Sequence, residues 1–143
     1  MRLWHIDIIP YLPKSQLWLL SQWRELNSIF KKQDKHILIN YIYDYDKKYL
    51  WDYTLDIMGE FGVHRYNLSK TSRDNFYNYF NDMGCIYDRP TNEHFKEHDN
   101  EYLTICYYNL KEKYLRGQKD FTQEQWHKIE KFYKETIKQW DTT

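Results

Sequence analysis

SQLWLLSQWRELNSIFKK, residues 15–32, decides the fold. Leu19, Trp23, Leu26 and Phe30 recur at spacings of three and four, the stripe that an amphipathic helix buries. Ser15 follows Pro13 and is placed to cap it, so the spacing predicts one helix from Ser15 to about Lys32. Glu25 falls off that stripe. Its own face carries Trp18, Ser21, Gln22 and Ile29, half apolar and half polar. A helix apolar on more than one side sits centrally in its domain, and a carboxylate on its second face is partly desolvated, which raises its pKa.

Working outward, the same helical period continues and strand alternation does not. Residues 36–61 read as one long or two short helices, with Ile37, Ile39, Ile42, Leu50, Tyr53, Ile57 and Met58 among the core candidates and a turn at Gly59-Glu60-Phe61-Gly62. Residues 72–83 form a further helix that Gly84 ends, and 85–97 are loop. A helix from about Asp99 to Arg116 is closed by Gly117. Thr122, with Gln125 at the capping-box position, opens the last one, whose apolar side carries Trp126, Ile129, Phe132, Ile137 and Trp140. Pro10 and Pro13 bracket a turn after an N-terminal arm. With no repeat, linker or low-complexity tract, the expectation is an all-α, compact helical bundle. It forms a single domain over residues 1–143, with the arm threading toward the core.

Composition bounds what such a domain does. A hydrophobic fraction of 41% and a charged fraction of 29% are those of a globular protein. No apolar run approaches the roughly 18 residues that span a bilayer, and no signal-peptide pattern opens the chain. Cys85 and Cys106 lack a CxxC spacing, which predicts two reduced thiols and a cytoplasmic protein. The 21 basic and 21 acidic residues cancel, so any nucleic-acid binding comes from a local basic patch rather than from total charge. The 15 tyrosines and 6 tryptophans could form a base-stacking surface. The plainer reading makes most of the tyrosines general core and boundary residues.

MRLWHIDIIPYLPKSQLWLLSQWREL (1–26), KHILINYIYDYDKKYLWDY (35–53), MGEFG (58–62) and EHDNEYLTICYYNLKEK (97–113) resemble the pyrimidine-dimer DNA glycosylase superfamily. The MRLWH opening is similar to one bacterial and phage branch of it. The resemblance covers most of residues 1–117, leaving 118–143 as an additional C-terminal helix. It implies a DNA repair glycosylase that is also an abasic-site lyase and works without cofactor or metal. Its partner would be damaged double-stranded DNA, with pyrimidine dimers as the lesion, and the enzyme would be a monomer with no membrane attachment. In that chemistry a terminal amine attacks the deoxyribose C1′, the base leaves, and a Schiff base forms. Elimination then cuts the strand on its 3′ side. An α-amino group suits this because its pKa of about 7.7–8.0 leaves much of it neutral near pH 7. A glutamate near the sugar stabilises the oxocarbenium-like charge and shuttles the proton.

Carried onto this chain, the family's nucleophile-then-arginine pair falls on Met1-Arg2, and the bulky Arg2 predicts that Met1 is retained. Glu25 becomes the acid/base. Arg2, Arg24, His36 and Lys113 become substrate and phosphate ligands, while Trp4, His5, His98 and Asp99 line the site. The family's basic position on the late helix falls on Asn109, with Lys111 and Lys113 nearby. Arg24-Glu25 is also what any surface charge pair looks like, and Trp4 packs equally well as core. His94, His98 and Asp99 form an HxxxHD string that could hold a metal at helical spacing. Pro90 and Asn92 make that segment a loop, where capping and positioning suffice. Two other readings stay open: a non-catalytic module of the same fold that binds nucleic acid or protein, and a related enzyme for a different lesion or modified base.

Overall fold

The computed structural model describes residues 2–19, 21–83 and 94–141. Five α-helices carry the fold: α1 (Gln22–Lys32), α2 (Lys47–Val63), α3 (Lys70–Tyr79), α4 (Asn100–Leu115) and α5 (Gln123–Trp140). Short 3-10 turns at Ile9–Tyr11, Asn40–Asp44 and Asn81–Met83 join them, and there is no strand among the described residues. The expected all-α class holds. No described helix is long and apolar enough to cross a membrane.

The first helix differs from its expectation. Ser15 caps nothing; it is buried inside a π-helical turn, Ser15–Leu19, and the α-helix starts only at Gln22. Ser15, Gln16 and Leu17 are consecutive and all buried, against Pro13, whose carbonyl accepts from the Gln16 and Leu17 amides at 3.0 and 3.2 Å. Three successive buried residues do not fit one stripe of a regular α-helix, and the wider π turn accommodates them. Ser21 then donates its hydroxyl to the Gln16 carbonyl. The side chains of Leu19 and Trp18 lie outside what is described. The remainder of the stripe, Trp23, Leu26 and Phe30, is buried as expected.

Residues 36–61 resolve into the Asn40–Asp44 turn and α2, which Asp46 caps by accepting from the Lys48 amide at 3.0 Å. The expected turn at Gly59–Gly62 is absent, because α2 runs through both glycines. Ile57 and Phe61, four apart and both buried, hold it helical, and Phe61 meets Trp23 edge-on at 5.8 Å. The stop comes later and without glycine. Arg65 takes the left-handed conformation (φ 58°), Arg65 N–H bonds Gly62 O at 3.1 Å, and Tyr66 N–H bonds Phe61 O at 2.8 Å. With the Phe61–Tyr66 ring contact this is a complete Schellman end. α3 starts two residues earlier than expected, behind a Ser69 cap, and passes into a 3-10 turn; Gly84 and Cys85 lie outside the described residues. The caps of α4 and α5 fall at Asp99 and Thr122, and Gly117 (φ 81°) closes α4, as expected. Gln125 departs from the box, since its amide reaches Tyr11 O at 2.9 Å and ties α5 to the arm.

The arm is the unusual element. Leu3, Trp4, Ile8, Ile9 and Leu12 are all buried, so the threading expected from sequence is found. Trp51 stacks on Phe76 at 4.8 Å in one aromatic layer, and Tyr107 stacks on Tyr133 at 3.9 Å in another between α4 and α5. Most tyrosines are indeed core or boundary residues, although Tyr77 and Tyr108 are exposed. Cys106 is a free, buried thiol.

The two kinds of glycine make opposite predictions. Gly59 sits in a helix interior with nothing within 4 Å of an added Cβ, so Gly59→Ala raises unfolding free energy by about 0.5–1 kcal/mol. Gly117 is left-handed, so Gly117→Ala lowers it by about 1–2 kcal/mol. Urea unfolding of the two variants checks both signs.

Candidate active site

A buried extended segment must place its amides and carbonyls somewhere, and in a helical protein no neighbouring strand takes them. The arm solves this against the first turn of α1. Gln22, fully buried, acts as a one-residue strand partner: its Oε1 accepts from Trp4 N–H at 2.7 Å and its Nε2 donates to Arg2 O at 3.2 Å. The Tyr53 hydroxyl of α2 lies 2.7 Å from both Trp4 O and Gln22 Oε1, and Tyr102 of α4 donates to Leu3 O. A further amide, Arg2 N–H, goes to Glu25 Oε2 at 2.9 Å.

Glu25 lies one turn beyond Gln22 on the same helix face, which is why the arm reaches both. Burial raises its pKa above the usual carboxylate value; the Arg2 amide and the positive charges around it, Arg2 and Lys113 among them, pull the other way without cancelling the rise. The Arg2 guanidinium is held between two aromatic faces, 6.0 Å from the Trp4 ring centre and 5.9 Å from that of Tyr102. Glu25, Arg2 and Trp4 open together into a cleft of about 320 Å³. Asn109 and Lys113, one turn apart on α4, also line it, and Gln16, Ser21, Gln118 and Leu38 complete it. Among the described residues no group of three His, Cys, Asp or Glu side chains is arranged to hold a metal ion.

Of the residues expected here, Arg2, Trp4, Glu25 and Lys113 converge on this cleft, and Met1 lies outside the described residues. Arg24 does not join them. It is exposed and lines a separate groove between α1 and α3 with Lys31, Asn27, Ser69 and Ser72, because adjacent helical residues point about 100° apart. His36 is exposed in the turn after α1, with its Nδ1 accepting from the Leu38 amide at 3.2 Å. His5, His98 and Asp99 also depart from the expected lining. Asp99 is spent on the α4 cap, accepting from Tyr102 N–H at 2.9 Å.

The two histidines stack on each other at 5.5 Å behind Tyr102, where the Tyr41 hydroxyl meets His98 Nε2 at 2.7 Å and Asp7 N–H donates to His5 Nδ1 at 3.1 Å. They form a buried layer under the arm, not a wall of the cleft. Gln22, Tyr53, Tyr102 and Asn109 in its role as cleft wall were among the contributors that escaped the sequence reading as site residues. The available signal was Gln22 one helical turn before Glu25, on the same face.

The geometry is that of an all-α protein with a half-buried acid bonded to its own N-terminal segment. Residues 1–74 match the family model described as pyrimidine dimer DNA glycosylase, and the chain belongs to that family of DNA glycosylases. The match takes in the arm, α1, α2 and the start of α3, whereas Asn109 and Lys113 come from beyond it. No curated protein and no solved structure matches the chain.

Burial lowers the pKa of His5, and that of His98 down to about 3, with repulsion from His5 and His94 adding to the latter. The fold therefore prefers both rings neutral. This stability is complete above the unfolded value near 6.5 and drains away as pH falls toward 3. Thermal midpoints measured from pH 7 to pH 4 should fall steeply. His98→Gln, which still bonds Tyr41 but cannot charge, should show a shallower decline; equal slopes would refute this account.

Proposed function

We propose that the protein is a DNA glycosylase acting on pyrimidine dimers, with the α-amino group of Met1 as nucleophile, Glu25 as acid/base, and abasic-site lyase activity. The observation that carries it is the 2.9 Å bond from Arg2 N–H to the Glu25 carboxylate. Successive backbone nitrogens lie at most about 3.7 Å apart by covalent geometry. A carboxylate bonded to the second residue's amide supports a proton-transfer role toward the amine one residue before it.

The neutral amine attacks C1′ of the damaged nucleotide as the glycosylic bond breaks, and the departing pyrimidine takes up a proton. Glu25 accepts the proton that the amine loses and returns it to the ring oxygen O4′ as the sugar opens to the Schiff base, which leaves it a carboxylate again. The Glu25 carboxylate then removes a C2′ proton, and the 3′ phosphate leaves by elimination. Arg2, clamped between Trp4 and Tyr102, and Lys113 opposite it supply positive charge where the flanking phosphates would lie. Arg24 and His36, on outer faces, would serve phosphates further along the duplex. The raised pKa of Glu25 fits a group that both gives and takes a proton.

Borohydride should trap the untagged protein on abasic-site duplex DNA, and acetylating or extending the N-terminus should abolish the adduct. Glu25→Gln should cut strand cleavage by about 10²–10⁴-fold. Cleavage should also fall as pH drops through a value above the ordinary carboxylate pKa of 4.5, because the base must be ionised. Duplex binding without an adduct, indifferent to Glu25→Gln, would instead identify a non-catalytic module. An adduct on abasic DNA with no cleavage of dimer-containing DNA would identify an enzyme for another lesion.

A further inference from the structure

The cleft holds its acid at depth, while the C1′ of a stacked nucleotide lies inside the duplex. Something must open the stack. Beside the cleft mouth, the turn that follows α1 presents two apolar residues to solvent: Ile37 is 85% exposed and Leu38 41%, and Leu38 is itself part of the cleft wall.

A lone exposed apolar residue is ordinary; this one is built in. The His36 carbonyl accepts from both Ile39 and Asn40 N–H at 2.9 Å, Asn40 Oδ1 accepts from His36 N–H at 2.8 Å, and His36 Nδ1 accepts from Leu38 N–H. Ile39, the next residue, is fully buried and roots the turn in the core, while Tyr43 donates its hydroxyl to Asp34 O at the turn's base. Ile37 therefore stands at the tip of a closed turn, on a β-branched side chain stiff about χ1, so inserting it loses little freedom. Lys31, Lys32, Lys35 and His36 lead into the tip along the chain, with Asp34 the acid among them.

We propose that Ile37, backed by Leu38, is a wedge that enters the base stack of duplex DNA next to the lesion and kinks it, so that the damaged nucleotide reaches Glu25. Apolar side chains on a cationic surface do this in proteins that bend DNA, at a cost of a few kcal/mol per unstacked step. Damaged or mispaired bases, already weakly stacked, cost least to open. Ile37 is a positioning residue, since it acts on the helix around the lesion and not on the reacting atoms. The inference deepens the glycosylase reading and rests on it.

The test uses the untagged full chain and Ile37→Ala, which removes no packing and should leave the thermal midpoint unchanged. A 2-aminopurine placed beside the lesion in duplex DNA brightens when unstacked. Wild type and Glu25→Gln should both brighten it on saturating binding; Ile37→Ala should not, and Ile37→Met should restore the signal. Cleavage of dimer-containing duplex by Ile37→Ala should fall by on the order of tenfold. Borohydride trapping on single-stranded abasic DNA, which needs no opening, should match wild type. Equal brightening by wild type and Ile37→Ala, or none by wild type, overturns the wedge even if trapping succeeds. Brightening that depends on Ile37 without any trapped adduct keeps the wedge and sinks the catalytic reading.

Discussion

The buried backbone of Arg2–Trp4 is the constraint on which the rest depends. An unpaired buried amide or carbonyl costs about 1–3 kcal/mol, and this segment buries several where no strand can pair with them. Gln22, Glu25, Tyr53 and Tyr102 answer them from three different helices. The arm is thus the element around which α1, α2 and α4 are oriented. Glu25 carries a double burden: its carboxylate satisfies the Arg2 amide and, on the proposed reading, moves protons in the same place. The helix that breaks at Ser21 makes this possible, since it starts α1 where Gln22 and Glu25 both face the arm.

Electrical neutrality overall conceals an uneven surface. On α4 and α5, exposed charges pair within their own helix, as in Arg116–Glu112, Lys128–Glu124 and Lys134–Glu130, and so cancel locally. Such pairs add little stability. The cleft differs, with two cations, Arg2 and Lys113, lining it beside the single acid Glu25. A zero total says nothing against an anionic polymer when one face holds the unbalanced cations.

How far the sequence could be read depended on the range of the interactions involved. The caps at Asp99 and Thr122 and the glycine stop after α4 are settled within a few residues, and they fell where the residue types put them. Gly59 and Gly62 misled because the pull of Phe61 on the core is a tertiary effect that carries α2 past them to a costlier stop at Arg65. The Ser15–Leu19 winding is likewise set from afar, partly by Gln118, which donates to Ser15 Oγ at 2.6 Å. In the cleft, Arg2 and Glu25 were legible through family resemblance. Tyr53 and Tyr102 were hidden by the abundance of tyrosine, and the histidines were credited with a surface they do not reach.

The seating of the arm has a consequence for synthesis. Leu3 waits for Tyr102, 99 residues later, before its carbonyl finds its partner. At about 5–20 residues per second the ribosome needs roughly 5–20 s to supply that residue. Throughout that interval Gln22, Glu25 and Tyr53 are already made and Tyr102 is not, so the chain's earliest segment completes its bonds late. Enzymes that trim or acylate nascent termini have that interval in which to act.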